Sequence, residues 1–438
     1  MSSSRVEEKS DIQTIIDTYS MQRTIDKICL NNVPDEVYLI PDVHGRNDLL
    51  QAALAKVSDG SAVIMLGDFG DRGIDSLGVY ESMFAFNQRR SAKKICPIVA
   101  IPGNHEENFL DLFRDRKIAE AVVGKECLQR IENDYDSDPT LSPDKWHEKL
   151  KEMGLEKNAI LPVLDYIASR QFMEQDAIGG RWAVDLICKR GGGEDIAKYI
   201  ASLPIILECT IPLPFSDNPE KTFTETFAAV HAVLPVKFEE LSNTTELTQS
   251  QQSDALNIRL IGSNPDSLPM KPELPVVFCG HSIVDNAEDA VIGQHVDLDM
   301  GACREACGVL FMYAVKANKI HLYVDEKVQR ETPVVIEKFT TIAKHIEATM
   351  VTRRNQLQKL ARENEEKISA KENESPHIIP PAENKPLENK SPLLKHTILT
   401  QITNSNLKRQ LPEDKVPLGD KQNDEERASS IKIKLMNL

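Results

Sequence analysis

Val37-Tyr38-Leu39-Ile40-Pro41-Asp42-Val43-His44-Gly45, Ala62-Val63-Ile64-Met65-Leu66-Gly67-Asp68-Phe69-Gly70-Asp71-Arg72-Gly73 and Ile98-Val99-Ala100-Ile101-Pro102-Gly103-Asn104-His105-Glu106 share one pattern, an apolar run that breaks into charged and ligand-type residues. The same break recurs downstream, where Phe227-Ala228-Ala229-Val230 leads into His231 and Val276-Val277-Phe278-Cys279 into Gly280-His281-Ser282. Short apolar runs without alternation read as strands buried on both faces. Each break then falls at a strand end, so the polar groups collect along one edge of a sheet, where open α/β folds bind ligands. Helical stretches at Asp48 to Val57, Leu77 to Asn87 and Glu107 to Phe113 separate or follow the first three runs, which predicts a parallel βαβαβ core. Oxygen and imidazole donors gathered without a thiolate suit hard or borderline divalent cations, and the set is large enough for two.

Asp-x-His-Gly, Gly-Asp-x-x-Asp-Arg-Gly and Gly-Asn-His-Glu in this order resemble the hallmark of the PPP-type phosphoprotein phosphatases, a group of calcineurin-like metallophosphoesterases. The resemblance runs roughly from Val33 to Glu326, interrupted by a long insertion. The stretch Asp297-Leu298-Asp299-Met300-Gly301-Ala302, followed by the apolar run from Gly308 to Val315, is more similar to the prokaryotic branch than to the eukaryotic enzymes. This likeness implies an α/β fold of two packed mixed β-sheets flanked by helices, with an inserted helical subdomain. It implies two divalent metal ions, manganese first, with iron or zinc accepted by the same donors. Asp42, His44 and Asp68 would hold one ion and Asp68, Asn104, His231 and His281 the other, the Asp68 carboxylate bridging. Two such cations ~3.5–4 Å apart lower the pKa of a shared water from ~15.7 toward ~7, which supplies a hydroxide nucleophile without a phosphoenzyme. By the same likeness His105 is the general acid, with Asp71 fixing its tautomer and favouring the imidazolium. Arg72 would clamp two phosphate oxygens, and Asn104 would face the substrate as well as the metal.

Three positions depart from the family pattern. Pro102 stands where many of these phosphatases carry an arginine, so one phosphate-binding cation is missing. Arg259, in Leu256-Asn257-Ile258-Arg259, resembles the family arginine between the two late histidines and could clamp phosphate from the other side, although a surface arginine is the ordinary reading. Gly70 replaces a residue that is usually β-branched, and little chemical effect is expected because glycine touches no ligand. Glu106 after Asn-His favours a phosphoprotein phosphatase, serine or threonine preferred and tyrosine open. Symmetrical dinucleoside tetraphosphate hydrolases tend to carry aspartate there. A non-catalytic binding scaffold would need a broken ligand set, and no ligand is missing.

Composition bounds the rest. A chain of 438 residues, 41% hydrophobic, is ample for one large domain with added segments. No run approaches the ~18 apolar residues of a membrane span, and the first residues lack the apolar core of a secretory signal, so a soluble cytoplasmic product is expected. The eight scattered cysteines read as reduced thiols, with Cys303 and Cys307 a weak soft-metal pattern. A net charge of −16 argues against a nucleic-acid partner and leaves a phosphoprotein substrate open. Residues 1–33 read as a helical extension, 34–335 as the phosphatase domain with a helical insertion at about 116–225, and 336–438 as a helix followed by a largely disordered tail. The insertion and the tail contribute no candidate ligand and are assigned to target choice and location. The acidic Asp424-Glu425-Glu426 before an apolar terminus resembles translocation signals of effectors exported by type IV secretion, so a secretion or targeting partner and entry into a host cell remain open beside a plain solvated tail.

Overall fold

The three motif-bearing strands lie side by side in one of two sheets that stack face to face. The computed structural model describes residues 11–241, 243–260, 270–304 and 308–373. A helix over residues 11–18 (α1) leads to β1 (Ile25–Cys29) and β2 (Val37–Ile40). There follow α2 (Asn47–Leu54), β3 (Ala62–Met65), α3 (Ser76–Ala92), β4 (Val99–Ala100) and α4 (Asn104–Val123). Five helices come next: α5 (Lys125–Ser137), α6 (Pro143–Glu152), α7 (Lys157–Met173), α8 (Arg181–Val184) and α9 (Glu194–Ala201), with a π-helical turn at Asp185–Lys189. The chain then forms β5 (Ile206–Pro214), β6 (Thr222–Val230), α10 (Phe238–Leu241), α11 (Gln249–Asn257), β7 (Val276–Cys279), β8 (Val291–Ile292) and β9 (His295–Asp297). It ends, within the described residues, with β10 (Val309–Ala314), β11 (Lys319–Val324), α12 (Glu326–Glu331) and α13 (Pro333–Asn373).

One sheet has the order β11-β10-β2-β3-β4 and the other β1-β5-β6-β7-β9-β8. The β2-β3-β4 pairings are parallel, as the alternating strand and helix pattern predicts. Both faces of these strands are covered, which is why their sequences do not alternate. Val37, Leu39, Ala62 and Ile64 pack toward Leu207, Phe227 and Val276 of the second sheet, whereas Ile40, Val63 and Met65 pack toward the helices on the other side. The mixed two-sheet α/β fold agrees with expectation.

Three boundaries differ from the sequence reading. The helical insertion expected through 225 gives way at Ile206 to β5, which pairs with β6 as a long antiparallel hairpin. Leu207, Ile211, Leu213, Phe223 and Phe227 of that hairpin line the inter-sheet core, so tertiary burial decides their state. The amino-terminal segment is more than a helical extension, because β1 completes the edge of the second sheet parallel to β5. Its Tyr19 ring meets Phe113 edge-on at 4.9 Å. Finally, Phe339, Ile342, Ile346 and Met350 of α13 are buried in the inter-sheet core, and the compact unit runs through Arg362 instead of ending at 335. The proposed translocation signal, the proline-rich stretch and Cys307 lie outside the described residues. No described helix is long and apolar enough to cross a membrane.

Candidate metal centre

Each sequence motif follows a strand of the stack and turns abruptly. His44, Asp68, Asp71, Arg72 and His281 all have left-handed φ values, between 44° and 69°. Such backbone costs about 1–3 kcal/mol per residue and persists only where the surroundings impose it, so its concentration here marks a built site. Asp42 and His44 leave β2, Asp68 leaves β3, Asn104 and His105 open α4 after β4, His231 ends β6 and His281 ends β7. Strands from both sheets therefore deliver their polar ends to one place.

Asp68 is its centre. The Asp68 Oδ2 atom lies 3.3 Å from His44 Nε2, and Oδ1 lies 3.4 Å from His231 Nε2. His231 Nε2 is also 3.2 Å from Asn104 Oδ1 and 3.2 Å from His281 Nδ1. His44, Asp68 and His105 form one cluster of potential ligand atoms, and Asp68, His231 and His281 a second, each within 4.8 Å, so Asp68 is common to both. Burial opposes ionisation of Asp68, but the His231 and His105 rings, whose own pKa values its charge raises against burial, hold its carboxyl well below the ordinary range. Its Oδ1 also accepts the backbone N–H of His105 at the start of α4 (3.1 Å), where the helix dipole favours an anion. Asp42 belongs to neither cluster but lies beside the second, with both carboxylate oxygens 3.1 Å from the His281 backbone N–H.

The second nitrogen of each imidazole separates two kinds of histidine. His44 Nδ1 lies 3.1 Å from the Gly70 carbonyl, His231 Nδ1 2.8 Å from the Leu66 carbonyl and His281 Nε2 3.2 Å from the Asn257 carbonyl. A carbonyl can only accept, so these rings donate outward and leave the other nitrogen facing the Asp68 cluster, the orientation that metal-binding histidines require, although at His231 burial is outweighed by Asp68, which raises the pKa of the ring. Burial lowers His44 to a pKa of about 3 and His281 to about 4, which keeps both rings neutral. The donor set therefore fits two divalent cations sharing Asp68. His105 differs. Its Nδ1 lies 2.7 Å from Asp71 Oδ2, and although burial opposes the charged ring, the Asp68 and Asp71 carboxylates raise its pKa. The Arg72 guanidinium spans the opening, 3.0 Å from Nε2 of both His44 and His105.

Arg259 stands exposed just beyond α11, where its charge reaches His281 and Asp297. Pro102 is buried and offers no cation. Four residues gain a place at the site that the sequence reading does not give them. Glu106 is enclosed and accepts four hydrogen bonds, three from the motif loops and one from the Tyr80 hydroxyl of α3. Asp297 and Asp299 are buried beside Asp42, whose pKa burial and these two carboxylates push up strongly. Asp299 itself is raised to about 6, first by burial. Trp182, in α8 of the insertion, donates its indole N–H to Asp71 Oδ1. Its sole trace in the sequence is the unusual Gly70, on which the indole rests.

The calcineurin-like phosphoesterase family model matches residues 36–285, over half of the chain, and the chain belongs to that family of metallophosphoesterases. No curated protein matches. Among solved structures, a candidate diadenosine tetraphosphatase is 16% identical, covering 68% of this chain and 97% of its own, with a TM-score of 0.32. A cold-active protein-tyrosine phosphatase of the psychrophile Shewanella sp. is 14% identical over 70% of this chain and 81% of its own (TM-score 0.32). A serine/threonine phosphatase of Saccharomyces cerevisiae with similarity to human PP5 is 11% identical over 70% of this chain and 82% of its own (TM-score 0.31). At these values none of them bears on the substrate.

Proposed function

We propose that this chain is a metal-dependent phosphoprotein phosphatase that hydrolyses phosphomonoesters, phosphoserine and phosphothreonine ahead of phosphotyrosine. The observation that carries the reading is the division of the histidines, three tied to backbone carbonyls around Asp68 and one tied to the Asp71 carboxylate beside Arg72. Asp42, His44, Asp68, Asn104, His231 and His281 would hold two divalent cations, manganese first. When bound, such ions supply Lewis-acid charge at the phosphate and a water acidic enough to ionise near neutral pH. Arg72 binds phosphate oxygens through its planar fork, and Arg259 adds positive charge from the rim. Arg72 donates to Nε2 of His105; once that guanidinium engages the phosphate, the imidazolium favoured by Asp71 through Nδ1 would offer its Nε2 proton to the departing oxygen.

A proton donor of this kind matters most for an alkoxide, the leaving group of a serine or threonine ester. A nucleoside diphosphate leaves from a dinucleoside tetraphosphate at neutral pH without one. Asp42, Asp68, Asp71, Asp297 and Asp299 gather where Arg72 is the cation that touches the histidines, a balance suited to one phosphate dianion more than to a polyphosphate chain. The setting we assign is the cytoplasm, of the producing cell or of a host reached by way of the carboxy-terminal segment.

Purified full-length protein, stripped of metal and given back manganese, iron or zinc, should release phosphate from phosphopeptides and far less ADP from diadenosine tetraphosphate. Faster turnover of the tetraphosphate would replace this reading with the nucleotide hydrolase. His105→Asn should lower turnover of a phosphoseryl peptide by ~10²–10⁴ and that of p-nitrophenyl phosphate much less, because nitrophenolate hardly needs a proton. Equal losses on the two substrates would remove His105 from the acid role.

A further inference from the structure

The helical insertion reaches the chemistry through one side chain. Trp182, in α8, donates its indole N–H to Oδ1 of Asp71, while Oδ2 of the same carboxylate is 2.7 Å from Nδ1 of His105. The indole is itself held by two rings: Phe109 of α4 stacks on it at 5.4 Å and 17°, and Tyr80 of α3 lies at 5.7 Å and 30°. Phe109 lies one helical turn beyond His105 on the same helix, so the clamp and the acid share a rigid base. Two glycines open the space. A Cβ on Gly70 would lie 2.9 Å from Trp182 Cζ2, and a Cβ on Gly179, at φ +75°, would lie 2.4 Å from the Arg72 backbone nitrogen. The turn before α8 therefore presses against Asp71 and Arg72, in a space that a β-branched residue at 70 would fill.

We infer that Trp182 is a positioning residue for proton donation, fixing the Asp71 carboxylate and through it the His105 ring, and that the helical insertion is thereby part of the catalytic apparatus. This rests on the phosphatase reading above. A carboxylate with one oxygen tied to a rigid indole cannot rotate away from His105, and its second oxygen holds Nδ1–H in place so that the doubly protonated ring aims its Nε2–H at the leaving group. The effect is specific to substrates that need a proton, which separates positioning from general bracing of the fold.

The test compares wild type, Trp182→Phe, Asp71→Asn and the double variant, all full-length and metal-loaded. Phenylalanine keeps an aromatic ring to stack on Phe109 and removes the N–H with the smaller part of the indole. The expected result is a fall in kcat of about tenfold on a phosphoseryl peptide with KM unchanged, the worth of one hydrogen bond to a charged group, and little change on p-nitrophenyl phosphate. In the Asp71→Asn background the Trp182→Phe change should cost nothing further, since the two act in series. Equal losses on both substrates, or losses that multiply in the double variant, would overturn the inference. Gly70→Ala, which displaces the indole edge while both tryptophans remain, should give the same split between substrates, and a wild-type profile would count against it. An independent readout needs no turnover. The chain has two tryptophans, so the Trp182 indole proton resonance is identified by its loss in Trp182→Phe. It should move upfield in Asp71→Asn, and an unmoved resonance would show that the bond is absent. If wild type hydrolyses no phosphomonoester, the phosphatase reading fails while the resonance still decides the contact.

Discussion

Glu106 is a charge carried into an enclosed turn, and its surroundings explain why it stays there. Oε1 accepts from the Phe69 N–H (2.9 Å) and the Tyr80 hydroxyl (3.0 Å), and Oε2 from the N–H groups of Asp68 (2.7 Å) and Gly103 (2.9 Å). Four donors converge on two oxygens, which ties the loop after β3 to the start of α4 and so fixes Asp68 relative to Asn104 and His105. Burial and the nearby Asp68 charge push the Glu106 carboxyl up, and these hydrogen bonds oppose them. Glu106→Gln is the informative change, because an amide offers one accepting oxygen and sets two N–H donors against donors. A loss of roughly 2–4 kcal/mol is expected from denaturant unfolding of the metal-free protein. Stability equal to wild type would mean that Glu106 is protonated in the native state, since a carboxylic acid also presents a donor.

The element that most changes the domain boundary is α13. Phe339, Ile342, Ile346 and Met350 recur at helical spacing and enter the core between the sheets. Arg353 is buried against Glu225 of β6, and Arg354 donates to Glu225 and to the carbonyls of Val315 and Lys316 after β10. One helix therefore ties the two sheets together. Ending the chain at Lys338 removes four core side chains at about 2–5 kcal/mol each, against a total domain stability of about 5–15 kcal/mol. That truncation should abolish the cooperative unfolding transition in circular dichroism, whereas a chain ending at Asn373 should keep the wild-type midpoint. A folded chain ending at 338 would show that α13 is an accessory.

At the scale of the whole molecule the site is a product of folding. Its donors come from positions 42 to 281 and meet only when strands of both sheets stack, so the unfolded chain offers no comparable metal site. Binding to the native state alone stabilises by about 2.7 kcal/mol at a hundred times the dissociation constant. Manganese should therefore raise the thermal midpoint by several degrees, chelation should reverse the rise, and Asp68→Asn should lose most of it. A midpoint indifferent to manganese in the wild type would speak against the shared-carboxylate centre.

The sequence by itself determined the parallel strands β2, β3 and β4, the placing of polar motifs at their ends and the residues that gather around Asp68. These are local matters: strands covered on both faces show unbroken apolar runs, and residues that terminate them are adjacent in the chain. It did not determine that β1 and β5 are strands, that α13 belongs to the core, or that Trp182 and Glu106 serve the site. Those depend on partners more than a hundred residues away in several cases, as with β1 on β5, Arg353 on Glu225 and Trp182 on Asp71. A tryptophan reads the same in sequence whether its N–H faces solvent or a carboxylate. Only the tertiary structure brings Asp71 to it, because a hydrogen bond between distant elements is fixed by packing and leaves no periodic trace in the chain.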